Sequence, residues 1–307
     1  MAITVVGSIA IDNVETPFNK TGDILGGSAS FFSLSSSFLT DVKIIGVVGS
    51  DFDRDHLNIF KDRQIDITGI KTEDGKTFHW AGRYGYDMSD PETITTELGV
   101  FASFKPDVQR SCEGDMFFLA NIDPDIQLDV LNQANSPKLV ALDTMNFWID
   151  SKKDKLIEAV GRTDIFIINE SEARLLTGES SIFLCAKAIF ELGAKILILK
   201  RGAYGATMFF ENNFFMVPAY PLENVIDPTG AGDSFAGGFL GYIDSTGDMT
   251  FENLKKALVF GNIMASFAVE DFSVNRFAAI KTDEIEDRFK KFREMTYFEE
   301  LLLPTRQ

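Results

Sequence analysis

Histidine and cysteine are nearly missing from this chain. The two histidines are His56 and His79, which excludes a metal centre built from several imidazoles. Cys112 and Cys185 form no CxxC pair, and in a chain that reads as cytosolic they are expected to be reduced, buried thiols, not a bridge or metal ligands. Basic residues are scarce as well: 29 Lys and Arg against 46 Asp and Glu leave a formal charge of −17. A surface that negative repels phosphate backbones and anionic lipid, so neither nucleic acid nor a membrane surface is an expected partner. An anionic substrate such as ATP would require a local positive pocket or an accompanying cation. No apolar run reaches the roughly 18 residues that span a bilayer. The segment from Met1 to Val14 has no basic start and carries an acid at Asp12, so the expected location is the cytoplasm.

What is present is an ordinary globular balance, 45% hydrophobic and 24% charged over 307 residues. A chain of this length buries roughly three quarters of its unfolded surface and needs no disulfide or structural metal. Short β-rich runs at 2–7, 42–48, 116–122, 138–143, 164–169 and 194–200 read as buried strands. Between them, 28–39, 51–62, 124–134, 151–160 and 181–193 carry apolar residues at helical spacing. That alternation predicts an α/β fold with a mainly parallel sheet covered on both faces, its ligand crevice at the C-terminal strand ends. The stretch 66–99 breaks the pattern, with a DG turn at Asp74–Gly75 and aromatic and β-branched residues around it. It reads as a β-hairpin-like lid, joined by part of 12–25, on a single domain spanning 1–307. An exposed lid edge could pair with a second copy, so a homodimer through the lid is one expectation. The tail 282–303 reads as an amphipathic closing helix.

The strongest signal is Asp227-Pro228-Thr229-Gly230-Ala231-Gly232-Asp233-Ser234-Phe235. Glycines at a loop-to-helix junction let the first backbone N–H groups face outward and hold an anion. Asp233 falls in the first helical turn beside that anion, where a carboxylate can take a proton from an attacking hydroxyl. A generic Gly-rich turn, with Asp233 merely complementing the helix dipole, is the competing account.

This string resembles the C-terminal signature of the ribokinase-like, or PfkB, carbohydrate kinases, D-T/P-x-G-A-G-D-x-F. The resemblance implies a ribokinase-like three-layer fold with a small β lid. It makes Asp233 the catalytic base and the N–H groups of Gly230, Ala231 and Gly232 an anion hole. It associates Asp227 with a monovalent cation such as K⁺. In the first half, Gly7-Ser8-Ile9-Ala10-Ile11-Asp12 follows a strand and Gly26-Gly27-Ser28 opens a helix. A carboxylate can accept from two neighbouring sugar hydroxyls, and a Gly-Gly turn lets a ring approach the main chain; the family places acceptor binding at Asp12, Gly26 and Gly27. Asp12 as a turn residue or cap is the alternative. Many sugar kinases of this family have Asn where this chain has Phe31, which suits a substrate with a flat or apolar part, such as a nucleoside, unless Phe31 is simply core.

Asn169-Glu170-Ser171-Glu172 matches the family's N-x-x-E motif, which implies phosphate contact at Asn169 and Mg²⁺, through water, at Glu172. Without the family these residues are an ordinary helix start. Lys200, Gly202 and Gly205 match a K/T-x-G-x-x-G element that contacts ATP, and Asn262 falls on a helix that flanks adenine in family members. Asp143 and Asn146 end another strand, facing the ligand or forming a turn. Acceptor choice is expected to rest on lid residues such as His79, Trp80, Arg83 and Tyr84.

The dinucleotide fingerprint GxGxxG is not found after the first strand, and Gly75-Lys76-Thr77 has its nearest glycine, Gly69, out of register for GxxxxGK[ST]. The expected activity is transfer of the γ-phosphoryl of Mg-ATP to a sugar hydroxyl. A nucleoside kinase is the alternative within the enzymes, and a non-catalytic sensor of a sugar or nucleoside is the alternative outside them.

Overall fold

β-rich and amphipathic runs alternate along most of the chain. In the computed structural model, which describes residues 2–89, 91–108, 112 and 115–299, that alternation becomes one large sheet with helices on both faces. The strands are β1 (Ala2–Val6), β2 (Ala10–Glu15), β3 (Ile24–Gly26), β4 (Asp41–Gly49), β5 (Asp66–Glu73), β6 (Phe78–Arg83) and β7 (Glu92–Glu97), then β8 (Met116–Leu119), β9 (Leu139–Asp143), β10 (Ile165–Asn169), β11 (Ile196–Lys200), β12 (Ala206–Phe210) and β13 (Asn213–Val217). The helices are α1 (Ser28–Ser36), α2 (Asn58–Asp62), α3 (Pro124–Gln133), α4 (Asn146–Ser151), α5 (Lys153–Val160) and α6 (Glu170–Thr177), then α7 (Ile182–Glu191), α8 (Ala231–Thr246), α9 (Phe251–Ala268), α10 (Asn275–Ala279) and α11 (Thr282–Thr296).

Nine strands form the central sheet in the order β13-β12-β11-β10-β9-β8-β1-β4-β5. Pairing is parallel from β5 through β11 and antiparallel at β11–β12 and β12–β13. Both faces are buried because successive side chains alternate: in β10, Ile165 and Ile167 join the core under α1, α8 and α9, while Phe166 and Ile168 join the core under α3, α5 and α7. Continuous apolar runs are the sequence consequence of a sheet covered on both sides.

A second sheet, ordered β3-β2-β6-β7, makes the lid. Its composition corrects the expected boundary. Residues 66–73 are β5, which pairs in parallel with β4 at the rim of the central sheet, and Asp74–Gly75 leads from that sheet to the lid without closing a hairpin. Ile67 and Ile70 pack on the central core, so an edge strand with one covered face carries the same alternation as a lid strand. The hairpin inside the lid is β6–β7, and β2 runs parallel to β6. Two helices are also shorter than their periodicity implies. In 51–62 only 54–57 form a 3₁₀ turn before α2, and 151–160 is preceded by α4, which breaks at Lys152. The closing helix α11 ends at Thr296, and the remainder of that stretch from 300 lies outside the described residues. Cys112 and Cys185 are buried and unbridged. Among the described residues no helix is long and apolar enough to cross a membrane.

Candidate active site

Four carboxylates and one lysine converge where β1, β9, β10 and β11 end and α8 begins. The helix is introduced by Gly230, whose φ of 74° is left-handed and which offers no side-chain cap. Glycine is required there twice over, because a Cβ would also sit 2.3 Å from the Phe31 ring. First-turn N–H groups have no helical partner, but Ala231 N–H turns back to the Pro228 carbonyl at 3.2 Å and Asp233 N–H meets its own carboxylate. The implied anion hole thus has one donor already engaged within the turn.

Asp233 lies in that first turn, and its pKa is pushed up to about 7, first by burial and then by repulsion from Asp143, with Lys200 and its own N–H opposing. Asp12, on β2, is pushed up to about 8 by burial, then by Asp227 and Asp233, with the Gly27 N–H partly offsetting. Its carboxylate lies directly against Gly26, where a Cβ would fall 1.8 Å from Oδ2. The neighbouring Gly27, at φ 95°, caps α1, and the two turns are clipped together by Ser28 N–H to Ser8 Oγ at 3.0 Å and Ser8 N–H to Ser28 Oγ at 3.2 Å.

Asp227 Oδ1 accepts from Thr229 N–H at 2.9 Å, while Oδ2 is buried without a well-formed hydrogen bond. Burial raises this carboxyl above its ordinary range, and hydrogen bonds from Thr229 and the Ser273 N–H recover part of that cost. A buried carboxylate oxygen with no well-formed hydrogen bond fits a bound cation.

Lys200 ends β11 and meets Asp143, the last residue of β9, at 2.6 Å. Burial opposes its charge, but Asp143, Glu172 and Asp233 outweigh burial and raise its pKa. A Cβ on Gly232 would lie 3.1 Å from Lys200 Nζ, so this cation stands at the mouth of α8. Sequence reasoning left Asp143 between ligand and turn; in the structure Oδ1 makes the turn, accepting from Thr144 N–H at 2.8 Å, and Oδ2 holds Lys200. Its partner is 57 positions away, and no local pattern announces the pair. Asn146 is exposed at the start of α4 and does not join them.

Asn169 and Glu172 make the capping box of α6: Asn169 Oδ1 accepts from Glu172 N–H at 2.7 Å and Glu172 Oε2 from Asn169 N–H at 3.0 Å. The helix-start reading is therefore correct locally, and Asn169 is also the register partner of Lys200, which brings Glu172 to the site's edge. Gly202 and Gly205, at φ 52° and 90°, form the tight turn after β11, closed by Arg201 N–H to Gly205 O at 2.8 Å. Arg201 itself is spent on Glu170 at 2.6 Å.

Two expected contacts change character. Phe31 is 1% exposed, its ring packed under Gly230, so it is the floor of the anion turn and presents no face to an acceptor. Asn262 is buried with its amide donated to the Pro218 carbonyl at 2.6 Å, because a buried amide must be satisfied; it ties α9 to the loop after β13.

From the lid, Trp80 pairs with Asp12 across β2–β6 and thus shares its face, with the indole lying over Gly82. His79 Nε2 meets Asn13 Oδ1 at 2.6 Å on the opposite face, and Arg83 pairs with Glu15 at 2.9 Å. Tyr84 reaches Thr229 across the crevice.

Residues 10–280 match the family described as pfkB family carbohydrate kinase. A protein named cytidine kinase from Thermococcus kodakarensis is 31% identical over 246 residues, 78% of this chain and 87% of its own length. A nucleoside kinase from Methanocaldococcus jannaschii is 28% identical over 286 residues, 87% of this chain and 90% of its own. Among solved structures, a putative ribokinase II from E. coli in complex with ATP and Mg²⁺ superposes with TM-score 0.78 at 22% identity, covering 94% of this chain and 99% of its own.

Proposed function

The chain belongs to the pfkB family of carbohydrate kinases, a phosphotransferase acting on a hydroxyl group, and on that premise we propose that the donor is ATP and the acceptor a nucleoside. The observation that carries the acceptor class is the lid face on which Trp80 stands beside Asp12. Asp12 and the Gly26–Gly27 turn suit vicinal ribose hydroxyls, and the Trp80 indole, which lies over Gly82 on the same lid face, suits a base, which stacks at low entropic cost. Two relatives of nearly this length carry the names cytidine kinase and nucleoside kinase, which supports the same reading.

Asp233 accepts the proton of the attacking hydroxyl as its oxygen bonds to the γ-phosphorus and the bond to the β-phosphate oxygen breaks. The open N–H groups at the start of α8 and the Lys200 ammonium face the charge that builds on the transferred group. Asp143 keeps Lys200 charged and in place inside a strongly acidic protein. A bound Mg²⁺ would supply charge neutralisation. Among the described residues no three ligating side chains form a cage, so Glu172 would act on the water shell of such an ion. Asp227 Oδ2, buried without a well-formed hydrogen bond, is the group suited to a monovalent cation.

The test is a panel of ribose, fructose, cytidine, adenosine and inosine with Mg-ATP, and Asp233→Asn as control. The expected result is kcat/KM at least roughly 100-fold higher for a nucleoside than for either free sugar, with Asp233→Asn losing about 10²–10⁴-fold in kcat while binding ATP. Preference for a free sugar by the same margin would return the acceptor to the simple carbohydrates.

A further inference from the structure

The lid meets the signature loop through a side-chain pair: the Tyr84 hydroxyl and Thr229 Oγ1 lie 3.0 Å apart, 145 positions distant in sequence. We infer that Tyr84 is a positioning residue that couples the lid to the phosphate-binding turn, so that the lid's seating sets the direction of the N–H groups at the start of α8.

Thr229 immediately precedes Gly230, the residue whose left-handed backbone aims the helix N-terminus. Its own N–H is held by Asp227 Oδ1 at 2.9 Å, and the Phe31 ring closes the space beneath Gly230. Those two restraints come from the large layer of the molecule. The Thr229 hydroxyl is shared: it also bonds the Asp227 carboxylate, and its contact with Tyr84 is the restraint that comes from the lid. Tyr84 is itself well fixed: its N–H donates to the Glu15 carbonyl at 2.8 Å, one step beyond the last β2–β6 pair, and its ring is buried with Val14 and Phe272 beside Trp80. Ser273 Oγ donates to the Leu25 carbonyl at 2.5 Å, which fastens the Phe272 loop to β3. The same strands carry Asp12 and stand Trp80 beside it. A rigid path therefore runs from the acceptor-facing side of the lid to the turn that would hold the transferred phosphate. A hydrogen bond between two such fixed groups loses little entropy on forming, which suits it to transmit position.

This inference rests on reading 230–233 as the phosphate-binding turn. Its test is a double-mutant cycle of Tyr84→Phe and Thr229→Val, each removing one hydroxyl and little volume. Each single variant is expected to lose roughly 5- to 10-fold in kcat with the ATP dissociation constant within about twofold, the scale of one hydrogen bond. The double variant should be no slower than the slower single one, and Thr229→Ser, which keeps a hydroxyl, should lose less than Thr229→Val. Independently of any substrate, amide hydrogen exchange across 228–233 should quicken roughly fivefold in Tyr84→Phe. Multiplicative losses in the double variant, a change confined to the acceptor KM, or unchanged exchange in 228–233 would each overturn the coupling. Absence of phosphoryl transfer by the wild type would instead undo the functional reading, and the exchange measurement would still decide whether lid and turn are linked.

Discussion

Asp233, the proposed base, illustrates how burial and neighbouring charges bring a carboxyl into the neutral pH range. Burial raises its pKa first, Asp143 raises it further, and Lys200 pulls it back to about 7. A base must be unprotonated to act, so kcat/KM for the acceptor should climb as pH rises through about 7 and then level off. Asp143→Asn removes a negative neighbour, which makes ionisation of Asp233 easier, so the acid limb should move to lower pH. The plateau should fall in the same variant, because Lys200 loses the carboxylate that holds it at 2.6 Å. A pH profile of the two proteins separates these effects: an acid limb that stays in place would show that Asp143 does not set the basicity of Asp233.

At the scale of elements, the turn between Asp227 and α8 is the most demanding piece of backbone in the site. Gly230→Ala would put a Cβ against the Phe31 ring at a φ of 74°, and the strain costs about 1–3 kcal/mol. Melting should fall by several degrees, and kcat by roughly 100-fold as the helix N-terminus turns away. Adding Phe31→Leu should restore part of the stability and little of the rate, because it opens space without changing φ. This turn was legible in sequence, since glycine spacing and an acid in the first turn are local. The central strands were legible for a similar reason: burial on both faces leaves uninterrupted runs such as Ile165–Ile168. What escaped was set by distant partners. β5 belongs to the central sheet because β4 pairs with it, yet its alternation suits a lid equally well. Phe31 could not be told from an acceptor contact, because every residue of α1 is buried and its period points nowhere. Asp143 and Tyr84 gain their meaning from Lys200 and Thr229, which no window of sequence contains.

For the molecule as a whole, the crevice is a concentration of buried negative charge in a chain that already carries −17. Asp12, Asp143, Asp227 and Asp233 all have pKa values raised by burial. A carboxyl whose folded pKa is raised binds a proton more tightly in the folded state than in the unfolded chain. Between the ordinary carboxylate value near 3.8 and the folded values of about 7 and 8, the folded protein therefore holds protons that the unfolded chain has released. Stability contributed by these groups is present at the acid end of that window and is lost as pH rises through it, with the full penalty above about pH 8. Asp12→Asn keeps an oxygen for the Gly27 N–H and removes the charge. At pH 8.5 it should melt roughly 2 °C or more above the wild type, and the gain should vanish near pH 5, where the wild-type carboxyl is already neutral. Glu286→Gln, on the exposed side of α11, lowers net charge equally and is the control for general repulsion. Equal gains in both variants would assign the effect to overall charge. A gain confined to Asp12→Asn would show that the site is held under electrostatic tension by the fold, a cost in stability that the roles proposed for Asp233 as base and Asp12 in acceptor binding would both carry.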